Sequence, residues 1–127
     1  MSKDETRALV RRFLDAVNAR DGDSARACLA EDVALDLADG RRAIGDEAFR
    51  DFLAERLRRG GETMADVAIM TDEGGGRAAA EFTRRGRRVS ASGAPGQVYS
   101  VAAGMFFEVD DGKITRVSDH AGRAEAD

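Results

Sequence analysis

The stretch "FFEVDDGKITRVSD" (106–119) decides the fold class, because it holds two strand-like runs on either side of a turn signal. The turn signal is Asp111-Gly112, and an aspartate–glycine pair between alternating runs is typical of a tight β-hairpin. The first run extends back to Gln97 and places six side chains on one face: Tyr99, Val101, Ala103, Met105, Phe107 and Val109. The sequence therefore predicts antiparallel strands in the second half of the chain.

Two more strands precede this hairpin, in "ETMADVAIMT" (62–71) and "RAAAEFTRRGRRV" (77–89), separated by the flexible turn "DEGGG" (72–76). Strict alternation in the first of them predicts Met64 and Met70 on one face. The loop at 90–96 contains the only proline, and the small, polar end of the chain is expected to fray. We expect a meander of four strands.

The first half of the chain has helical periodicity instead. Ser2 and Glu5 form a capping box before an apolar stripe of helical spacing, and Gly22 is expected to end that helix. Asp23 is expected to cap a second, short helix that runs through Leu29 and Ala30, and Asp46 is expected to cap a third. A brief strand carrying Val33, Leu35 and Leu37 on one face lies between these two helices. The predicted fold is α+β, with three N-terminal helices packed on the concave face of a strongly curved antiparallel sheet.

Composition and charge narrow the class of protein. The 127 residues predict one domain, and the net charge of −4 argues against nucleic acid as a partner, although "RRGRR" (84–88) is locally basic. We interpret that run as a solvated strand edge. No apolar run is long enough to span a membrane, and the N-terminus lacks the apolar core of a signal peptide, so we expect a cytoplasmic protein.

The chain has one cysteine, Cys28, and one histidine, His120. This composition allows no internal disulfide and argues against a thiolate or imidazole metal site. We expect Cys28 to be a buried packing residue and the protein to work without a cofactor or metal.

Both faces of the predicted sheet are fairly apolar, since Phe106 and Phe107 point in opposite directions. One face covers the helices and any cavity, and the other needs a cover of its own. We therefore expect a homodimer through the outer face of the sheet.

Three stretches in this order resemble the nuclear transport factor 2-like superfamily, which includes SnoaL-like and ketosteroid isomerase-like proteins: "LVRRFLDAVNARDGDSARACLAEDV" (9–33), "AIGDEAFRDFL" (43–53) and "FFEVDDGKITRVSD" (106–119). The resemblance is strongest to an uncharacterised ketosteroid isomerase-related group. It implies a cone of bent sheet whose first helices close an apolar pocket, and many members are dimers. The superfamily includes isomerases, cyclases, dehydratases, epoxide hydrolases and binding domains, so the fold alone does not decide the function.

The resemblance argues against steroid isomerisation by the known route. Ketosteroid isomerases use an aspartate base, with a tyrosine and a protonated aspartate as the oxyanion hole. By alignment, Phe13 stands at the tyrosine, Met105 at the protonated acid, and Leu37 (or Asp36 after a one-residue shift) at the base. Neither Phe13 nor Met105 can donate a hydrogen bond to an enolate.

Asp119 is the leading catalytic candidate. Neighbours on a strand point to opposite faces, so Asp119 and His120 cannot form a dyad. The odd spacing of Ile114 and Val117 indicates a bulge between them, and if Val117 points inward, Asp119 does too. SnoaL-like enzymes carry an essential acid near the end of this strand, which Asp119 matches. In an apolar pocket its pKa would be raised for acid–base work; the alternative is a solvated aspartate at the strand end.

Asp36 is the second catalytic candidate, provided that a bulge or the end of its strand turns it inward to pair with Asp119. Arg41 and Arg42 are placed to neutralise such a pair. The remaining candidates are substrate-binding residues of an apolar pocket: Tyr99, Phe13, Leu37, Phe52, Met105, Phe107 and His120. His120 is expected to face solvent or the dimer interface.

Two functions remain open. One is a cofactor-independent isomerase, cyclase or hydratase/lyase that acts on an apolar small molecule through a pocket carboxylate. The other is a non-catalytic ligand-binding or dimerisation domain of the same fold. A cavity of a few hundred cubic ångströms with a carboxylate favours the enzyme, and a cavity filled by Phe and Met side chains favours the binding domain.

Overall fold

Helices on one side of a single sheet make up the part of the chain that the computed structural model describes, residues 1–38, 40–58, 62–89, 92 and 95–121. Its elements are α1 (Lys3–Asn18), α2 (Gly22–Ala27), β1 (Leu29–Asp36), β2 (Arg42–Ile44), α3 (Asp46–Arg58), β3 (Thr63–Thr71), β4 (Arg77–Val89), β5 (Pro95–Asp110) and β6 (Lys113–Ala121). The strands lie in the order β2-β1-β6-β5-β4-β3. The sheet is strongly curved and does not close, which confirms the predicted α+β class.

The predicted capping box of α1 is present. Ser2 Oγ accepts a hydrogen bond from the Glu5 amide (3.1 Å), and Glu5 Oε1 accepts one from the Ser2 amide (3.0 Å). The predicted boundary with α2 is wrong by two residues. Arg20 takes the left-handed conformation that ends α1 (φ 58°), and Asp21 rather than Asp23 caps α2 by accepting from the Ser24 amide.

The segment between α2 and α3 contains more strand than the sequence predicts. β1 begins at Leu29, where helix was expected, and it pairs in parallel with β6. β2 pairs antiparallel with β1 and was missed, because three residues are too few to show a period. The sheet is therefore mixed rather than wholly antiparallel.

Bulges set which residues face the helices. Glu108 pairs with Arg116 and Val109 with Ile114, so Thr115 is the extra residue of the bulge predicted in β6. A second irregularity, in β3 around Asp66 (φ 56°), was not predicted. It reverses the alternation, so that Met64 is buried while Met70 is 49% exposed, and the prediction that they share a face is wrong.

The hydrophobic core fills the space between the helices and the concave face of the sheet. Phe13 of α1 is fully buried, and its ring centroid lies 5.3 Å from that of Phe49 and 5.9 Å from that of Phe107. Cys28 is buried as expected, and desolvation raises the pKa of its thiol. The predicted hairpin turn is confirmed, with Asp111 and Gly112 both at positive φ as a type I′ turn requires. Most of the predicted loop at 90–96 and the tail at 122–127 lie outside the described residues.

Candidate functional site

The register of β6 places Asp119 on the concave side of the sheet. Asp119 pairs with Met105 of β5 and alternates with the buried Val117, and it is only 2% exposed. His120 lies on the opposite face. The predictions that Asp119 follows Val117 inward and that the two neighbours cannot form a dyad are therefore confirmed.

Arg84 is the ionic partner of Asp119. Its Nη2 donates a hydrogen bond to Asp119 Oδ1, and only 4% of Arg84 is exposed. The guanidinium carbon lies 5.5 Å from the centroid of the Phe82 ring. The prediction that Arg84 belongs to a solvated strand edge is wrong, because β4 lies between β3 and β5 and Arg84 alternates onto the same face as Phe82. The carboxyl of Asp119 is thus not surrounded by apolar groups alone, as the sequence predicted, but is held by a cation.

Two more polar side chains complete the site. Glu62 Oε1 lies 3.5 Å from Arg84 Nε, and the Tyr99 hydroxyl donates a hydrogen bond of 2.5 Å to Glu62 Oε2. We call Tyr99, Glu62, Arg84 and Asp119 the Arg84 cluster. Tyr99 lies on the predicted face, but Glu62 was missed as a site residue. It opens the predicted strand at 62–71 and shares its alternation with the buried Met64, which is the signal that could have found it. Arg84 lies two residues after the buried Phe82, so strand alternation places both side chains on the same face. This alternation is the sequence signal that points to Arg84.

The Arg84 cluster borders a small cavity of about 40 Å³ under α3. Its described lining residues come from the helices and from the concave side of the sheet: Val17, Phe49, Phe52, Leu53, Glu62, Met64, Arg84 and Met105. Helix α3 contributes much of the apolar wall, and the two charged groups are Arg84 of β4 and Glu62, which directly precedes β3. This arrangement suits a ligand with an apolar body and one polar end.

Six of the seven predicted substrate-binding residues lie at this cavity or in the core; the prediction is wrong for His120, which lies on the outer face of the sheet. Phe52 and Met105 line the cavity, and Tyr99 reaches it through Glu62. Phe13 and Phe107 are buried within the core and contact each other edge to face. Leu37 follows β1 and packs, partly buried, against the core.

Asp36 lies on the outer face of the sheet, opposite Ser118 of β6 in register, so the predicted Asp36–Asp119 pair does not form. Its carboxylate accepts hydrogen bonds from Arg42 Nε (2.5 Å), Arg42 Nη2 (3.0 Å) and Arg116 Nε (2.8 Å). These bonds lower the pKa of Asp36 to about 2. Asp36 is therefore an ion-pairing residue outside the cavity.

His120, predicted as an exposed or interface residue, lies on the same outer face. Its Nε2 is 2.7 Å from Ser118 Oγ, and its ring contacts Phe106 edge to face with centroids 5.2 Å apart. This places His120 outside the cavity and apart from the Arg84 cluster.

Among the described residues, no three His, Cys, Asp or Glu side chains converge as metal ligands would. None of the helices there has the length and apolar character needed to cross a membrane.

The chain is similar in sequence and fold to known proteins. The family model of the SnoaL-like domain matches residues 10–117. A polyketide cyclase-like protein of Xanthomonas campestris pv. campestris is 36% identical, with a TM-score of 0.90, over 96% of this chain and 93% of its own. A polyketide cyclase-like protein of Pseudomonas putida is 37% identical (TM-score 0.83; 96% and 92% covered). A ketosteroid isomerase-like protein of Kribbella flavida is 27% identical (TM-score 0.77; 98% and 82% covered). No curated protein matches the chain.

Proposed function

The chain belongs to the SnoaL-like domain family, and from this premise we propose that it binds an apolar carbonyl compound beside Arg84 and moves a proton on it, as an isomerase or cyclase does. The observation that carries the proposal is the convergence of two carboxyl groups on one buried guanidinium at the wall of an apolar cavity, with a tyrosine hydroxyl bonded to one of those carboxyl groups. Likeness to the polyketide cyclase-like proteins at 36% and 37% identity supports the same class of chemistry.

Glu62 is the proposed base, since its carboxylate lines the cavity and its side chain is 20% exposed. It removes a proton from the carbon next to the ligand carbonyl, and the electron pair of the broken C–H bond moves onto the carbonyl oxygen. Arg84 stabilises the resulting enolate. Where the enolate is conjugated with a C=C bond, return of the proton from Glu62 to the far carbon isomerises the ligand. Alternatively, the enolate carbon attacks a second carbonyl of the ligand and closes a ring, and Glu62 returns its proton to the alkoxide oxygen that forms.

Asp119 is a positioning residue in this proposal. It is buried behind Arg84, where it neutralises and orients the guanidinium, while Glu62 faces the ligand. The acid–base role that the sequence suggested for Asp119 therefore passes to Glu62. Tyr99 holds Glu62 in place by donating to its second oxygen.

Ligand binding requires the cavity to open. Its volume of about 40 Å³ is well below the cavity of about 150 Å³ that admits benzene. Phe52 and Leu53 of α3 are only partly buried, so this wall of the cavity is thin. We propose that these two side chains move when a ligand enters.

A second candidate function, a non-catalytic ligand-binding or dimerisation domain, is favoured by that same small volume.

We also propose that the protein is a homodimer through the outer face of the sheet. Exposed apolar side chains there support this assembly, including Phe106 (54% exposed) and Val98 (67%).

Deuterium exchange of the acetophenone methyl group, followed by proton NMR in D₂O, tests the reaction. We expect exchange faster than in buffer, and a loss of at least about 100-fold in Glu62→Gln, the range typical of general bases. Glu81→Gln removes an exposed carboxylate from the same strand as Arg84 and should leave the rate unchanged. Asp119→Asn should lower kcat much more than it raises KM.

Three results decide between the candidates. Binding of acetophenone without exchange above buffer favours the non-catalytic domain. Full activity in Glu62→Gln removes Glu62 as the base. Equal losses in Glu62→Gln and Glu81→Gln would show that overall charge, rather than the cavity carboxylate, determines the rate.

A further inference from the structure

We propose that Glu62 determines specificity by making the cavity accept neutral carbonyl ligands and reject carboxylates. This inference rests on the proposed ligand cavity, but it concerns binding and is independent of whether a proton is transferred. It predicts that removing one charge, at Glu62, turns the cavity into an anion site.

Arg84 is the only cation among the described residues that line the cavity. A guanidinium at the end of an apolar pocket is ordinarily well suited to a ligand carboxylate, which it can bind with two parallel hydrogen bonds. Here two carboxylates of the protein already lie beside nitrogen atoms of the Arg84 guanidinium. Glu62 lies beside Nε at 3.5 Å, and Asp119 accepts from Nη2. A ligand carboxylate would have to compete with these groups.

The two protein carboxylates play different parts in this competition. Asp119 is buried behind the guanidinium, whereas Glu62 lines the space that the ligand would fill. A ligand carboxylate beside Arg84 would therefore meet the Glu62 carboxylate at close range. Repulsion between like charges is strong where water is excluded, and the 4% exposure of Arg84 indicates such surroundings. A neutral carbonyl oxygen accepts hydrogen bonds without this repulsion.

Glu62 cannot easily turn away from an incoming anion, because Tyr99 fixes it. The Tyr99 hydroxyl donates to Glu62 Oε2 at 2.5 Å. Tyr99 in turn lies close over Gly86 of the neighbouring strand, where an added Cβ would come within 2.6 Å of its hydroxyl oxygen. The position of the carboxylate is thus set by packing between β4 and β5.

Acetophenone and benzoate form a matched pair of probes, since they share the phenyl ring and carbonyl and differ in a methyl group against an anionic oxygen. Their dissociation constants can be measured at pH 7 and fixed salt by amide NMR titration. We expect the natural protein to bind acetophenone at least about 10-fold more tightly than benzoate, as like-charge repulsion predicts. Glu62→Gln, which keeps the shape and a hydrogen-bond acceptor for Tyr99, should bind benzoate roughly 10-fold more tightly than the natural protein does.

Glu81→Gln is the control, because it makes the same change in net charge at an exposed position. Benzoate affinity that rises in Glu62→Gln but not in Glu81→Gln supports the proposal. The proposal is overturned if the natural protein binds benzoate as tightly as acetophenone. It is also overturned if Glu62→Gln has the same unfolding temperature as the natural protein but binds benzoate no more tightly. Absence of binding by either probe overturns both this inference and the proposed function, whereas selective binding without deuterium exchange overturns only the reaction.

Discussion

Arg84 and Asp119 stabilise each other in the interior. Each charge loses its hydration when buried, and the attraction between them offsets that cost. Removing one partner from such a pair typically costs about 3–5 kcal/mol, because the other charge stays buried without compensation. The pair therefore holds Arg84 at the wall of the cavity, where a free arginine side chain would otherwise extend to water.

Asp36 provides a pH-dependent test at the residue scale. Its folded pKa of about 2 lies below the ordinary value of 3.8, so the bonds to Arg42 and Arg116 stabilise the protein above about pH 4, and this stabilisation is lost as the pH falls toward 2. Because the arginines are partly exposed, we expect Asp36→Asn to lower the free energy of unfolding by only about 1 kcal/mol at pH 7.

Urea denaturation at pH 7 and pH 3 measures the difference in free energy of unfolding between the natural protein and Asp36→Asn. It should be largest at pH 7 and smaller at pH 3, where part of the stabilisation has already been lost in the natural protein. Asp110→Asn changes the net charge equally at an exposed strand end and should show little effect at either pH. A gap of the same size at both pH values would contradict the assignment of the ion pairs.

At the scale of strands, β4 and β5 place the polar groups of the site through one close contact. Gly86 lies directly opposite Tyr99 in register, and the absence of a side chain there lets the Tyr99 ring lie over the β4 backbone. A glycine inside a strand often marks such a close approach. The contact directs the tyrosine hydroxyl toward Glu62.

Gly86→Ala should displace Tyr99 and break its hydrogen bond to Glu62, at a cost of about 1–3 kcal/mol as in other overpacked sites. Tyr99 is the only tyrosine and the chain has no tryptophan, so tyrosine fluorescence reports this position alone. Emission should rise when the quenching carboxylate is lost. Gly76→Ala, where nothing lies within 4 Å of the added carbon, is the control, and unchanged emission in Gly86→Ala would refute the packing argument.

For the molecule as a whole, the outer face of the sheet is the surface that a second copy is proposed to cover. Met70, Ala79 and Phe106 follow one another across β3, β4 and β5 in register, with Phe106 54% exposed. Removing such a row from water on both copies favours association. The charged groups around Asp36 border it on β1 and β2.

Phe106→Glu should convert the proposed dimer to a monomer, because two added carboxylates would face each other across the apolar row. Sedimentation equilibrium measures the change in mass. Ala8→Glu, on the solvent side of α1, adds the same charge elsewhere and should leave the dimer intact. A natural protein that sediments as a monomer at every concentration would contradict the assembly.

Features that depend on local chemistry could be predicted from the amino-acid sequence. The capping box at Ser2 and Glu5, the Asp111-Gly112 turn and the inward direction of Asp119 each depend on a few neighbouring residues, so turn chemistry and strand alternation predict them. The contact between Arg84 and Asp119, 35 positions apart in sequence, and the contact of Glu62 with Arg84 arise only once the strands are assembled. Those contacts depend on strand order and on register, which bulges such as the one at Asp66 shift without a local signal.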